Sequence, residues 1–355
     1  MSIRPKKVLV FVQSEVGGAE RVSVTIGKTL DKKKFKVSFC SIGSGENKTA
    51  SFIPIDYPRD QIKTNNFLKK FWFIYKKIKQ EQPDIIFASV ININTKILLL
   101  KPFFPNVKFV IRSDNNFYYF SKRHQWMIRF IYKHAHTIIA QTSEMKDGLV
   151  QGAKIDTSKI IVLQNPVDTE YIDEKVKNTQ SPFSNNGNFK IVASGRFSYV
   201  KGFDILIEAF NLLRDNFANT ELFILGRTGG ENNPIYKNVK NLIDTYQLNN
   251  CVHCVGHLSN PYPYVKHANC FVLSSRAEGL PNVVLEALYL HTPVVATKCI
   301  PAISRLIKDG KNGFCAETEN PISLAENIQK CLAQSHFDFT TQSTTFSSIN
   351  EIFER

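Results

Sequence analysis

The 355-residue chain has no run that approaches the roughly eighteen consecutive apolar residues of a membrane-spanning helix, so none is expected. It has no second cysteine pair to complete a four-ligand zinc site: Cys251-Val-His-Cys254 is its single C-x-x-C, in an alternating strand-like stretch. The seven cysteines are odd in number and scattered, which argues against a disulfide framework and for buried free thiols. No G-x-G-x-x-G follows the first strand, and no acidic residue stands about twenty positions on at the end of a second strand. A dinucleotide fingerprint is therefore unmet. A secretory leader is not expected either, because the apolar run after the basic Met1 to Lys7 is only Val8 to Val12 before Gln13 and Ser14. The expected location is the cytoplasm.

What is present points to a folded two-domain protein. The chain is 43% hydrophobic and 12% aromatic, and it is long for a single core. Its net charge of +14 is unevenly placed, with 28 Lys/Arg against 13 Asp/Glu in residues 1–168 and 17 against 18 in residues 169–355. The first half should be drawn to a polyanion, either anionic lipid or nucleic acid.

Short apolar strands are predicted at Val8 to Val12, Phe35 to Ser41, Asp84 to Ala88, Lys108 to Arg112, Thr137 to Gln141 and Lys159 to Leu163, with helical or loop segments between. Residues 1–168 thus read as a doubly wound α/β domain. The polar, Asn/Ser-rich stretch 169–188 reads as a linker. A second series follows, with strands at Lys190 to Ser194, Glu221 to Leu225, Cys251 to Gly256, Cys270 to Ser274 and Pro293 to Thr297. The fold class is α/β, with two doubly wound domains, the second over 189–334, and a cleft between them.

Several strand-helix junctions are suited to an anion. Gly17-Gly18 is either a place where backbone amides meet a ligand or a plain tight turn. In Gly195-Arg-Phe-Ser-Tyr-Val-Lys-Gly202, glycines bracket two cations, Arg196 and Lys201, that can close on one anion ahead of a helix N-terminus. Gly226-Arg227 could floor the same pocket, and Gly256-His257 could meet a nucleobase through its backbone. The stretch Arg276 to Leu290 carries Glu278 before Gly279-Leu280-Pro281-Asn282, then Glu286 within the apolar run Val283 to Leu290. A buried carboxylate needs a partner. Either Glu286 pairs with a neighbouring basic or hydroxyl side chain in the core, or the helix N-terminus is aimed at an anion.

These elements resemble the family 4 retaining glycosyltransferases. The likeness rests on Gly17-Gly18, Gly195-Arg196 with Lys201-Gly202, the E-x7-E element Glu278 to Glu286 and the G-K-N-G-F of Gly310 to Phe314, and it covers essentially the whole chain. It implies two facing Rossmann-like domains, the first binding acceptor and the second binding donor, with residues 335–355 closing back on the first. It also implies a nucleotide-sugar donor, by analogy a UDP-linked hexose or N-acetylhexosamine, and no cofactor. Arg196 and Lys201 would neutralise its diphosphate, Glu286 would accept the ribose hydroxyls, Glu278 would contact the transferred sugar, and the amides after Gly279 would meet phosphate or sugar. Two positions depart from the pattern. Many relatives carry a His in the loop that here reads Ile111-Arg-Ser-Asp-Asn-Asn116, where Asp114 is the substitute, and Arg305 stands where relatives place a Glu. No D-x-D occurs, so a diphosphate-bound metal is not expected.

The segment Asn66 to Gln80 combines Phe67, Leu68, Phe71, Trp72, Ile74, Tyr75 and Ile78 with five lysines. It reads either as a helix at a membrane interface or as a surface helix packed on its own sheet. Phe117 to Phe120 with Lys122, Arg123, Trp126 and Arg129 adds a second basic-aromatic patch. Together with the charge asymmetry, these segments suggest an enzyme on the anionic inner leaflet that extends a lipid-linked saccharide of a surface polysaccharide or lipopolysaccharide. A nucleotide-sugar epimerase on the same scaffold is the main rival. A nucleic-acid binder is permitted by charge but carries no recognised motif.

Overall fold

The computed structural model describes residues 4–15, 17–339 and 347–354. The chain divides into two compact units, Met1–Pro166 with Ser343–Arg355, and Val167–Gln342. The first unit runs β1 (Lys6–Gln13), α1 (Gly18–Thr29), β2 (Phe35–Ile42), β3 (Arg59–Ile62), α2 (Phe67–Glu81), β4 (Ile85–Ala88), α3 (Ile91–Leu99), β5 (Lys108–Arg112), α4 (Lys122–Ile131), β6 (Thr137–Ala140), α5 (Ser143–Asp147) and β7 (Ile160–Val162). These strands form one parallel sheet in the order β3-β2-β1-β4-β5-β6-β7. Because the interior strands are covered on both faces, they read as nearly unbroken apolar runs, as in Val8 to Val12.

The second unit runs α6 (Thr169–Val176), β8 (Phe189–Ser194), α7 (Phe203–Arg214), β9 (Thr220–Leu225), α8 (Pro234–Thr245), β10 (Val252–Gly256), α9 (Tyr262–Lys266), β11 (Cys270–Leu273), α10 (Asn282–Tyr289), β12 (Val294–Thr297), α11 (Pro301–Leu306), β13 (Gly313–Ala316) and α12 (Pro321–Ala333). Its parallel sheet has the order β10-β9-β8-β11-β12-β13. Each unit is thus a Rossmann-like layer of sheet between helices. No described helix is long and apolar enough to cross a membrane.

Two strands escaped the sequence reading, β3 (R-D-Q-I) and β13 (G-F-C-A), and both lie on sheet edges. An edge strand has one open side and need not be apolar, which hides R-D-Q-I, whereas G-F-C-A is apolar but only four residues long, too short for the run to stand out. The expected linker is partly helical: α6 starts on Asp168, whose carboxylate accepts from the Tyr171 N–H at 3.3 Å, and it buries Ile172 and Val176 beside Tyr262. Its surface polarity concealed that stripe.

The expected closing segment also divides. Phe337 and Phe339 pack into the second unit, whereas the last helix, α13 (Ser347–Glu354), packs into the first. There Phe353 meets Phe35 and Phe87 edge-on at 6.3 and 5.4 Å. Residues 340–346 and 355 of that segment lie outside the described residues.

Candidate functional site

In the second sheet β8 has β9 on one side and β11 on the other. The chain leaves β8 and β11 in divergent directions, so the loops after these strands open a crevice at their carboxyl ends. Those loops carry Arg196 and Lys201 on one side and Glu278 on the other. Lys201 ends a tight turn, Tyr199–Lys201, and Gly202 then caps α7 with φ +60, a left-handed backbone. A Cβ at Gly202 would lie 2.1 Å from the Ser274 carbonyl oxygen, so only glycine permits this approach.

Lys201 Nζ donates to Glu278 Oε1 at 2.5 Å, and Ser275 Oγ donates to the same oxygen at 2.6 Å. The Lys201 stem runs along Gly195, where a Cβ would lie 3.1 Å from its Cδ. The floor continues to the neighbouring loops, with Gly195 N–H on the Leu225 carbonyl at 2.9 Å and Gly226 N–H on the Gly256 carbonyl at 2.7 Å. Asn233 Nδ2 holds the Phe197 carbonyl at 2.7 Å and ties the Arg227 loop to the Arg196 loop. The guanidinium of Arg196 and the ring of His257 are on exposed residues, and Arg227 is half-buried.

Sequence reasoning gave Arg276 no role, yet it grips this crevice. Its Nη1 and Nη2 reach both carboxylate oxygens of Asp204 at 2.9 and 2.7 Å, its Nε reaches Glu319 at 2.9 Å, and Nη1 also donates to the Tyr199 carbonyl at 2.8 Å. Its guanidinium lies 4.1 Å from the Tyr199 ring centroid. The hydrogen bond to Asp204 holds the Arg276 pKa above its usual value. Nothing in the local sequence pairs Arg276 with Asp204, 72 residues away.

Glu286 differs from the expectation of a buried charge. It is half-buried on α10, whose inward stripe is Val284, Ala287 and Leu288. An eight-residue helix can seat only one stripe, and Glu286 points off its side. Gly279 is half-buried and Leu280 is buried. Pro281 caps α10 and Asn282 begins it. Gly310 to Phe314 forms the turn into β13, with Asp309 Oδ1 accepting from the Cys315 N–H at 2.8 Å. Arg305 is exposed in the last turn of α11, where a cation complements the helix dipole. All seven cysteines are free. His253, between Cys251 and Cys254, bonds to Glu221 at 3.2 Å, and no three His, Cys, Asp or Glu side chains among the described residues could hold a metal.

The first unit has its own polar cluster, after β1 and β5. Arg112 is buried and donates to Asn165 Oδ1, which is held in turn through Gln141. Burial brings its pKa down to about 10, against the pull of Asp114 and Glu20. Asp114 is largely enclosed, and burial raises its pKa against the pull of Arg112. Its Oδ1 and Arg112 Nη1 are buried with no hydrogen-bond partner among the described residues. Glu20, three residues beyond the Gly17 cap, turns back on the Gly17 N–H. Burial lifts its pKa to about 7, and the Asp114 charge adds to the rise. The Gly17 N–H therefore serves this carboxyl, and the spacing of a capping box was the signal available for it.

Comparison with known proteins places both halves. Residues 16–171 match the family model described as Glycosyltransferase Family 4, and residues 174–342 match that described as Glycosyl transferases group 1. An uncharacterised glycosyltransferase of Methanocaldococcus jannaschii is 31% identical over 247 residues, 65% of this chain, and the chain spans only 60% of that relative's length. The Campylobacter jejuni N-acetylgalactosamine-N,N'-diacetylbacillosaminyl-diphospho-undecaprenol 4-alpha-N-acetylgalactosaminyltransferase is 24% identical over 348 residues, 92% of this chain and 90% of that one. The crystal structure of Anabaena HepE in complex with UDP and glucose superposes with a TM-score of 0.82 at 19% identity, over 98% of each chain, a likeness of fold.

Proposed function

We propose a reaction from one premise: the chain belongs to the family 4, group 1 glycosyltransferases. The reaction is transfer of a hexose or N-acetylhexosamine from a nucleotide-sugar, a UDP-sugar by analogy with the relatives, to a lipid-linked saccharide in surface-polysaccharide synthesis. The anomeric configuration is retained. The observation that carries this reading is the Lys201–Glu278 pair at the crevice of the second sheet, 2.5 Å apart and bordered by Gly195 and Gly202.

In this reading Lys201 and Arg196 meet the diphosphate and offset the charge that grows on it as the glycosidic bond breaks. Such preorganised cations act without a metal. Glu278, held by Lys201 and Ser275, faces the transferred sugar, with the amides after Gly279 beside it. Glu286 takes the ribose hydroxyls; it is half-buried on α10, which supports this role by sparing the desolvation cost of a fully buried carboxylate. Asp114 orients the acceptor hydroxyl, whose proton passes to a donor phosphate oxygen on the face from which the diphosphate leaves. The acceptor's lipid would keep the first unit at an anionic inner membrane face, against the exposed Trp72 and Trp126 and the lysines around them.

The experiment is a screen of nucleotide-sugars for thermal stabilisation, followed by product analysis of the best donor with and without undecaprenyl-diphosphate-linked saccharides. A new glycosidic bond with the donor's anomeric configuration is expected. Conversion of the donor to an epimer without acceptor would overturn the transferase reading.

A further inference from the structure

Resting on the reading of Lys201 and Glu278 as donor-facing groups, we propose that Arg276 is a positioning residue that fixes the Lys201 turn against the Glu278 loop. The turn has little else to hold it. Tyr199 is 60% exposed and Val200 44%, so apolar burial does not pin this backbone. Polar ties do, and two of them come from Arg276. Its guanidinium holds the Tyr199 carbonyl at 2.8 Å and covers the Tyr199 ring, and its backbone N–H donates to the Val200 carbonyl at 2.8 Å. Ser274 Oγ, two residues earlier on the same loop, holds the Lys201 carbonyl at 2.9 Å.

The anchor on the other side is equally specific. Asp204 lies in the first turn of α7, directly after the Lys201 turn, and takes the guanidinium in a two-toothed grip. Glu319, from the loop after β13, takes the remaining Nε. Two carboxylates thus neutralise Arg276, which leaves it no net charge to offer a diphosphate. Its contribution is geometric: it locks the loops after β8, β11 and β13 together, and with them the place of the Lys201 ammonium. A lysine carries the charge but not the planar fork, so it cannot reproduce the arrangement.

The test measures UDP affinity by titration calorimetry on the full chain, with thermal midpoints alongside. Arg276→Gln and Arg276→Lys are both expected to weaken UDP about tenfold, whereas a role of charge alone would let the lysine rescue. In a Lys201→Ala background, Arg276→Gln should cost no further affinity, because the group it positions is gone. Asp204→Asn, which loosens the same grip from α7, should give a similar and equally non-additive loss, and it answers the question if the Arg276 variants fold poorly. Full additivity of either substitution with Lys201→Ala would overturn the positioning role and leave the site reading standing. Wild-type UDP affinity in Lys201→Ala alone would overturn both.

Discussion

Lys201 and Glu278 stand on loops after different strands of the second sheet, 77 positions apart, yet their side chains meet at 2.5 Å with only 21% and 13% exposure. The pair is sheltered but not sealed, so a ligand can reach it. Lys201→Ala and Glu278→Gln should each lower the transfer rate on the order of 100-fold or more, as loss of a preorganised charge does. The thermal midpoint should fall only modestly, for a cost on the order of 1–3 kcal/mol, because the charge left behind is sheltered but still reached by solvent. Initial rates and melting curves on the same preparations check this. An activity near wild type in both variants would remove these residues from the site.

Glu20 makes the stability of the first unit depend on pH in an unusual direction. Its folded pKa, about 7, is above the ordinary 4.5, so the protonated form favours folding. That contribution is complete below pH 4.5 and is lost as pH rises through 7, by at most about 3 kcal/mol. Glu20→Gln keeps an acceptor for the Gly17 N–H and removes the titration. Unfolding midpoints in urea should therefore coincide near pH 4.5 and favour the variant increasingly toward pH 8. Parallel curves across that range would show that Glu20 does not titrate there.

Much of this was legible in the sequence, for a physical reason. Strands covered on both faces must be apolar through their centres, so Val8 to Val12 and Ile191 to Ala193 announced themselves, and glycines at strand ends marked the crevice. The expectation of a deeply buried Glu286 failed because an apolar run does not say which stripe of a short helix faces inward. The sequence was silent on Arg276, because its partners Asp204 and Glu319 come from loops that only the sheet order brings together. Of the two readings of α2, packing on its own sheet is met by one face of the helix, and the other face is exposed. One stripe, Phe71, Ile74, Tyr75 and Ile78, packs on the sheet, while Phe67, Leu68, Trp72 and Phe73 face out.

Far from the crevice, at the amino ends of β8 and β9, Lys190 Nζ meets Glu221 at 2.7 Å with both side chains largely enclosed, and Asn186 and Asn188 add their amides. Burial alone would raise the Glu221 pKa, but the bonds from Lys190 and the two asparagines outweigh it and bring it to about 2. This stability is present above pH 4.5 and is lost as pH falls toward 2. Glu221→Gln leaves the ammonium only neutral acceptors, Asn186 Oδ1 and the new amide oxygen, and should cost on the order of 1–3 kcal/mol at pH 7. UDP affinity below the melting range should be unchanged, because no donor-facing loop is touched. Calorimetric melting at pH 7 and pH 3 tests both halves, and a wild-type midpoint at pH 7 would refute the cost.

The outward face of α2 gives the last prediction. Leu68 is 74% exposed and Trp72 60%, and with Phe73 they line a groove of about 580 Å³ whose rim carries Lys63 and Lys69. Trp126 and Phe130 on α4 are likewise exposed, at 61% and 45%. Large apolar side chains bring no folding stability where they face water, and their grouping with lysines fits an anionic lipid surface. The protein should float with vesicles containing anionic phospholipid and stay behind with neutral ones, and added salt should weaken the association by screening the lysines. Leu68→Ser/Trp72→Ser should lower flotation severalfold without lowering the thermal midpoint, since neither side chain lies in the core. Lys63→Glu/Lys69→Glu should do the same and also flatten the salt dependence. If the wild-type chain floats with neither kind of vesicle, the aromatic face serves another purpose and the acceptor must reach the enzyme from solution.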